Sequence, residues 1–124
     1  MATILVADDE PGIRELVCRT LEKQGHQMLE TEDGPGTLTL LRQRPVDLLI
    51  LDVMLPGMDG YEVQLQLCQE EKTKDIPVII LTALHPSKSL FTKFTQVKEF
   101  IAKPFEPELL AESVAHILKG LHKK

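Results

Sequence analysis

The sequence predicts an α/β fold in which five parallel strands form one sheet with helices on both faces. Short apolar runs alternate with amphipathic stretches about five times along the chain, which is the pattern of a repeated strand-and-helix unit. The 124 residues, of which 43% are hydrophobic, are enough for one ordinary domain with its own core. We therefore expect a single domain over residues 1–124.

The first strand and the first helix have the clearest patterns. Residues 3–7 form a short apolar run, as a buried strand requires. Apolar residues between Ile13 and Leu21 then recur at helical spacing, which predicts an amphipathic helix. Pro11 suits the first turn of this helix, and Gly25 suits its end.

The remaining elements continue the alternation. The second strand, at 27–31, is half polar and therefore suits an edge of the sheet. We expect the other strands at 47–51, 78–81 and 99–102, and the other helices at about 36–44, 61–71, 87–94 and 107–118. The last helix has an apolar face made of Leu110, Val114, Ile117 and Leu121.

Five polar residues stand at or just beyond the ends of four of these strands. The carboxyl ends of parallel strands open onto one edge of a sheet, where ligands bind. We therefore expect three carboxylates, one hydroxyl and one ammonium group to meet there. These residues are Asp8, Asp9, Asp52, Thr82 and Lys103.

The three carboxylates predict a divalent cation. Each like-charge pair at ~4 Å costs about 1 kcal/mol in water and about 4 kcal/mol at an effective dielectric of 20. Mg²⁺, or Mn²⁺ in its place, offsets this repulsion with oxygen ligands. Singly, each residue also has an ordinary interpretation, since Asp8 and Asp9 could cap a helix and Lys103 could be a surface lysine.

The same residues suit phosphoryl transfer. A carboxylate such as Asp52 can attack phosphorus and form an aspartyl phosphate if the phosphoryl charge is neutralised. Mg²⁺ and Lys103 would supply that neutralisation. The Thr82 hydroxyl and the Ala83 backbone N–H would each donate a hydrogen bond to a phosphoryl oxygen.

Over essentially its whole length, the chain resembles the receiver domain of response regulators. The segments that carry the resemblance are ILVADDE at 4–10, DLLILDVMLPGMDG at 47–60, VIILTA at 78–83 and FIAKPF at 100–105. The resemblance implies a flavodoxin-like, doubly wound (βα)5 fold with strand order 2-1-3-4-5.

The resemblance also implies a role for each site residue. Asp52 would accept a phosphoryl group from a sensor histidine kinase or a histidine phosphotransfer protein. Mg²⁺ would be held by Asp9, by Asp52 and by the backbone carbonyl of Met54, with Asp8 acting through a water. Thr82, Ala83 and Lys103 would bind the phosphoryl oxygens, and the Lys103-Pro104 peptide bond would be cis.

A signalling output follows from the same resemblance. Phe100 matches an aromatic position whose rotamer follows the Thr82 hydroxyl, although it could also be a plain core residue. Movement of Thr82 towards the phosphoryl group would then change the face formed by the helix at 87–94, the last strand and the last helix. A downstream protein would bind that face. We expect the domain to be a monomer or a weak phosphorylation-dependent dimer.

Two segments depart from the family pattern. Only 20 residues separate Thr82 from Lys103, about one fewer than the family has, and Gln96-Val97 replaces the common Gly-Ala. The helix at 87–94 is therefore expected to be short or displaced. The last helix lacks the paired arginines of winged-helix regulators, which favours a stand-alone regulator over the receiver fragment of a larger DNA-binding one.

Composition argues against several other functions. The net charge is −5 without a basic stripe, so direct nucleic-acid binding is disfavoured. No apolar run approaches the roughly 20 residues of a membrane span, and no signal peptide is evident, so we expect a cytoplasmic protein. Cys18 and Cys68 are expected to be a reduced, buried pair.

We expect a signalling protein and not a turnover enzyme. Met54 and Leu84 flank the path of attacking water and cannot orient it, which predicts slow self-dephosphorylation. A haloacid-dehalogenase-type phosphatase would need an acid where Met54 stands. A phosphate-independent scaffold would have no need of all five site residues.

Overall fold

In a computed structural model of the chain, the described residues are 2–83, 91 and 93–121. The strands are β1 (Thr3–Ala7), β2 (Gln27–Thr31), β3 (Leu48–Asp52), β4 (Val78–Thr82) and β5 (Val97–Ala102). The described helices are α1 (Pro11–Glu22), α2 (Gly34–Gln43), α3 (Gly60–Gln69) and α4 (Pro107–Leu121). The predicted helix at 87–94 falls largely outside the described residues.

All five strands are parallel and form one sheet in the order β2-β1-β3-β4-β5. This order confirms the predicted α/β fold. Every residue of β3 and β4 is buried, as expected for central strands of a sheet covered on both faces. The half-polar β2 lies at one edge, as its composition predicted.

Alternate residues of the strands lie in two apolar layers, one on each face of the sheet. Ile4 and Val6 of β1 join the layer under α1 and α4, whereas Leu5 and Ala7 join the layer under α2 and α3. In α4, Leu110, Val114 and Ile117 are buried, as predicted, while the side chain of Leu121 is outside the described part of the chain. The helices thus cover both faces and leave the strand ends open for a site.

Three strand boundaries differ from the prediction in ways that affect the site. β3 is displaced by one residue, since the Asp47 carboxylate accepts a hydrogen bond from the Thr3 N–H at 2.8 Å and Asp47 stays outside the strand. Asp52 instead pairs in register with Leu81 as the last residue of β3. Thr82 likewise ends β4, and β5 begins two residues early at Val97.

Gln96, directly before β5, is a buried polar residue. Its amide nitrogen donates to the carbonyl oxygens of Thr73 at 3.0 Å and Ile76 at 2.8 Å. Its amide oxygen accepts a hydrogen bond from Gln64 Nε2 of α3 at 2.7 Å. The departure from the family pattern at this position therefore ties β5 to α3 and to the loop before β4.

The prediction of two buried cysteines is wrong for Cys68. Cys18 is buried on α1, but Cys68 is exposed on α3, where Gln64 and Leu67 take the inward positions. Both thiols are free. Among the described residues, no helix has the length and apolar character needed to cross a membrane.

Candidate functional site

The fold brings the predicted polar residues to one edge of the sheet. Asp8 and Asp9 follow β1, Asp52 ends β3, Thr82 ends β4 and Lys103 follows β5. These four strands are consecutive neighbours, so their carboxyl ends are adjacent. The sequence had placed these five residues together from strand ends alone, and the structure does the same.

Four carboxylates form a compact acidic cluster. Oxygen atoms from Asp8, Asp9, Glu10 and Asp52 lie within 4.8 Å of one another. Asp8 and Asp52 are buried, whereas Asp9 and Glu10 are exposed, so the cluster has a buried floor and an open side. Sequence reasoning gave Glu10 no role, although its place directly after Asp8-Asp9 was a usable signal.

Lys103 lies at the centre of the cluster. Its Nζ is 2.8 Å from Asp8 Oδ2, 2.9 Å from Glu10 Oε1 and 3.3 Å from Asp52 Oδ2. Burial on its own would lower the pKa of Lys103, but the close carboxylates of Asp8 and Glu10 and the charge of Asp52 outweigh burial and raise it. The ammonium group is therefore a permanent cation beside Asp52.

Asp8 is fixed from several sides. Its Oδ1 accepts from the Glu10 N–H at 2.9 Å, and its own N–H donates to the Thr31 carbonyl at 3.2 Å. Its buried Oδ2 makes no directional hydrogen bond among the described residues, and the Lys103 ammonium supplies its compensation as an ion pair. Such an oxygen is well suited to a water bound to a cation.

Asp52 has a raised pKa. Burial is the largest cause and the charge of Asp8 is the second, while Lys103 and the Met54 N–H, 3.2 Å from Oδ1, act in the opposite direction. Only 3% of Asp52 is exposed. A cation at the site would favour the ionised carboxylate, which is the nucleophilic form.

Arg14 supports the site from α1, a role that sequence reasoning missed. Its Nη1 donates to the Asp8 carbonyl oxygen at 2.7 Å, and its Nε is 3.2 Å from Glu30 Oε1 on β2. The guanidinium group thus holds the main chain of the acidic loop. No sequence pattern signals that an arginine of α1 donates to the main-chain carbonyl of Asp8.

The loop between β3 and α3 leaves Asp52 approachable. It ends at a capping box, in which Asp59 accepts from the Glu62 N–H at 2.9 Å and Glu62 accepts from the Asp59 N–H at 3.2 Å. Met54 lies in this loop and is 60% exposed. The surface beside Asp52 is therefore apolar and accessible to solvent.

The β4 and β5 ends complete the site. Thr82 is 7% exposed, and its carbonyl oxygen accepts from the Lys103 N–H at 2.9 Å. The Lys103-Pro104 peptide bond is cis. Phe100 is half-buried on β5, with its ring centroid 6.3 Å from that of Phe91. Ala83 follows Thr82 directly, while Leu84 lies outside the described residues.

Comparison with known proteins agrees with this geometry. The family model "Response regulator receiver domain" matches residues 4–115. The protein PilH of Pseudomonas aeruginosa is 33% identical over 121 residues, which cover 97% of this chain and 100% of PilH. The signal receiver domain of a signal transduction histidine kinase from Syntrophus aciditrophicus has a TM-score of 0.88 at 30% identity, covering 100% of this chain and 95% of that one.

A longer relative matches equally well. The phosphate regulon transcriptional regulatory protein PhoB of Escherichia coli is 38% identical over 119 residues, which cover 95% of this chain. The chain spans about half the length of PhoB, since the match covers 52% of it. The same domain type therefore occurs in a relative of this length and in a larger regulator.

Proposed function

The chain belongs to the response regulator receiver domain family, and from that premise we propose that it is a phosphorylation-activated signalling switch with Asp52 as phosphoryl acceptor. The proposal treats residues 1–124 as one receiver domain. The observation that carries it is the contact of one ammonium group, that of Lys103, with the carboxylates of Asp8 and Asp52 at the end of the sheet.

Receiver domains bind Mg²⁺ in an acidic cluster, and the donors of this chain fit that ion. Hard oxygen ligands that lie within 4.8 Å of one another suit Mg²⁺, and Mn²⁺ accepts the same donors. We assign Asp9, Asp52 and the Met54 carbonyl as ligands, with Asp8 acting through a water. A bound cation would neutralise part of the phosphoryl charge.

The transfer step needs only residues at this edge. An Asp52 carboxylate oxygen attacks phosphorus of a phosphohistidine, the P–N bond breaks, and the imidazole leaves with the electron pair and takes up a proton. Lys103, the Thr82 hydroxyl and the Ala83 N–H stabilise the phosphoryl oxygens. Because Met54 cannot orient a water molecule, we expect slow hydrolysis and classify the protein as a switch and not as a turnover enzyme.

The proposed output is a change in the face that β5 and α4 form with the segment before β5. Thr82 would move towards the phosphoryl group, and Phe100 would follow it. A sensor histidine kinase or a histidine phosphotransfer protein would supply the phosphoryl group, and a downstream protein would bind the changed face. We propose a monomer or a weak phosphorylation-dependent dimer that does not itself contact DNA.

Two observations concern the size of the regulator that contains this switch and the compartment in which it works. PilH, matched over its full length, and PhoB, matched over 52% of its length, show that this domain type occurs both in a relative of similar length and within a larger regulator. The free thiols of Cys18 and Cys68 suit a reducing compartment, and we therefore propose a cytoplasmic protein.

Phosphorylation by a small acyl phosphate tests the proposal. With Mg²⁺ present, intact-mass spectrometry should show the addition of one phosphoryl group, and Asp52→Asn should abolish it. Asp75→Asn, which removes an exposed carboxylate far along the chain from the cluster, should leave the labelling unchanged. Labelling that survives Asp52→Asn, or no labelling of the wild type, would contradict the proposal.

A further inference from the structure

Lys103 has one ion-pair partner that the proposed phosphoryl chemistry does not use. Besides Asp8 and Asp52, its Nζ contacts Glu10 Oε1 at 2.9 Å. An ammonium group has three N–H donors. Three carboxylates therefore surround this ammonium group before any phosphoryl oxygen arrives, and a phosphoryl oxygen that binds Lys103 has to replace one of them.

Burial decides which carboxylate can be released. Asp8 is fully buried, and its Oδ2 would lose its only close cationic partner among the described residues, which is costly for a buried charge. Asp52 is itself the proposed acceptor of the phosphoryl group and therefore stays at the site. The Glu10 side chain is 60% exposed, so its carboxylate can move into water at little cost.

The position of Glu10 in the chain permits such a movement. Glu10 is the N-cap residue of α1, but its side chain makes no capping hydrogen bond, so the helix does not depend on the carboxylate. Its main chain is fixed, because its N–H donates to Asp8 Oδ1 at 2.9 Å and its carbonyl accepts from the N–H groups of Ile13 and Arg14. The side chain can leave while the backbone stays in place.

We propose that Glu10 occupies the place of a phosphoryl oxygen: its carboxylate accepts a hydrogen bond from the Lys103 ammonium in the resting protein and is displaced when Asp52 is phosphorylated. This inference rests on the proposed function and deepens it. Glu10 acts through Lys103 and is therefore a positioning residue. Its contact opposes phosphorylation by the strength of one solvent-exposed ion pair, which corresponds to about two- to five-fold in rate or affinity.

Two substitutions at Glu10 distinguish the effect of its contact with Lys103 from the effect of its negative charge. Glu10→Asp keeps the negative charge but is one methylene shorter, so it loses the reach to Lys103. Glu10→Gln keeps the reach but loses the charge. Glu112→Gln is the matched control, because it removes one exposed negative charge from α4, away from the acidic cluster.

The first measurement is the rate of labelling by a small acyl phosphate with saturating Mg²⁺. We expect Glu10→Asp and Glu10→Gln to be labelled about two- to five-fold faster than the wild type, and Glu112→Gln to match the wild type. The second is titration with beryllium fluoride, a phosphoryl mimic, followed by NMR. Both Glu10 variants should bind it more tightly by a similar factor.

Three results would overturn the inference. If Glu10→Asp behaves as the wild type and only Glu10→Gln is faster, long-range charge and not occupancy of Lys103 is responsible. If neither variant differs from the wild type, Glu10 has no such role. If the Glu10 variants lose Mg²⁺ affinity as severely as Asp9→Ala in calorimetry, Glu10 is a metal ligand. Failure of the wild type to be labelled would instead contradict the proposed function.

Discussion

Gly60 lies directly against the main chain of Asp52. A Cβ atom on Gly60 would be 2.7 Å from the Asp52 carbonyl oxygen and 2.8 Å from the Val53 Cα, both of which are backbone atoms. The Gly60 N–H also donates to the Val53 carbonyl at 2.8 Å. The first residue of α3 and the end of β3 are thus packed without room for a side chain, and this contact sets where Asp52 stands.

We predict that Gly60→Ala destabilises the protein and slows phosphorylation. The backbone at Asp52 would have to shift, with a cost of about 1–3 kcal/mol in the free energy of unfolding, measured by urea denaturation. Gly12→Ala is the control: nothing lies within 4 Å of its new Cβ, and alanine favours helix by about 0.5–1 kcal/mol. Equal stability of the two variants would contradict the close packing at Gly60.

Replacing Asp52 should stabilise the protein. Asp52 is buried beside Asp8, so in metal-free buffer at neutral pH we expect Asp52→Asn to raise the free energy of unfolding by on the order of 1 kcal/mol, the scale of one close like-charge pair. Thermal unfolding measures this gain, and Asp75→Asn should show none.

The pH dependence of this gain in unfolding free energy follows from the raised pKa of Asp52. Because its pKa is raised in the folded protein, the wild type recovers stability as pH falls through that pKa and Asp52 becomes protonated. The advantage of Asp52→Asn should therefore be full at neutral pH and shrink towards acid pH. An advantage that grows on acidification would contradict the raised pKa.

Gln96 should be needed for stability, although the family commonly has a small residue there. Gln96→Ala would leave the buried carbonyl of Thr73 and the partly buried carbonyl of Ile76 without their amide donor, at a cost of about 2–4 kcal/mol in unfolding free energy. Gln64→Leu should cost less, because it leaves the buried Gln96 Oε1 without its Gln64 Nε2 donor but also removes Gln64 Oε1, which is buried without a hydrogen-bond partner among the described residues. A double-mutant cycle of the two positions measures their coupling.

The two cysteines should differ sharply in reactivity. Burial and, to a smaller extent, the nearby charges of Glu30 and Glu22 raise the pKa of Cys18 to about 12, so its thiol stays neutral at pH 8. Cys68 is exposed. A thiol reagent at pH 8 should therefore modify one cysteine quickly, and Cys68→Ser should abolish that fast reaction. Fast modification of Cys18 before unfolding would contradict its burial.

The approximate positions of the strand ends were predictable because they depend on local pattern, although β3 and β4 each end one residue later than predicted. The apolar runs before Asp8, Asp52, Thr82 and Lys103 identify buried parallel strands, and parallel strands place their carboxyl ends at one edge. The predicted bounds of β3 were wrong by one residue, since nothing in the sequence shows that the Asp47 carboxylate accepts a hydrogen bond from the Thr3 N–H. An error of one residue left Asp52 at the edge of the sheet.

The sequence by itself determined the α/β class, the edge position of β2 and the meeting of five polar residues at one end of the sheet, because these follow from hydrophobic periodicity and strand direction. Only the tertiary structure decided that Lys103 contacts three carboxylates, that Arg14 holds the Asp8 main chain and that Gln96 satisfies buried carbonyls. The contacts of Lys103 and Gln96 join atoms from distant parts of the chain, and their distances depend on how the layers pack and not on local pattern.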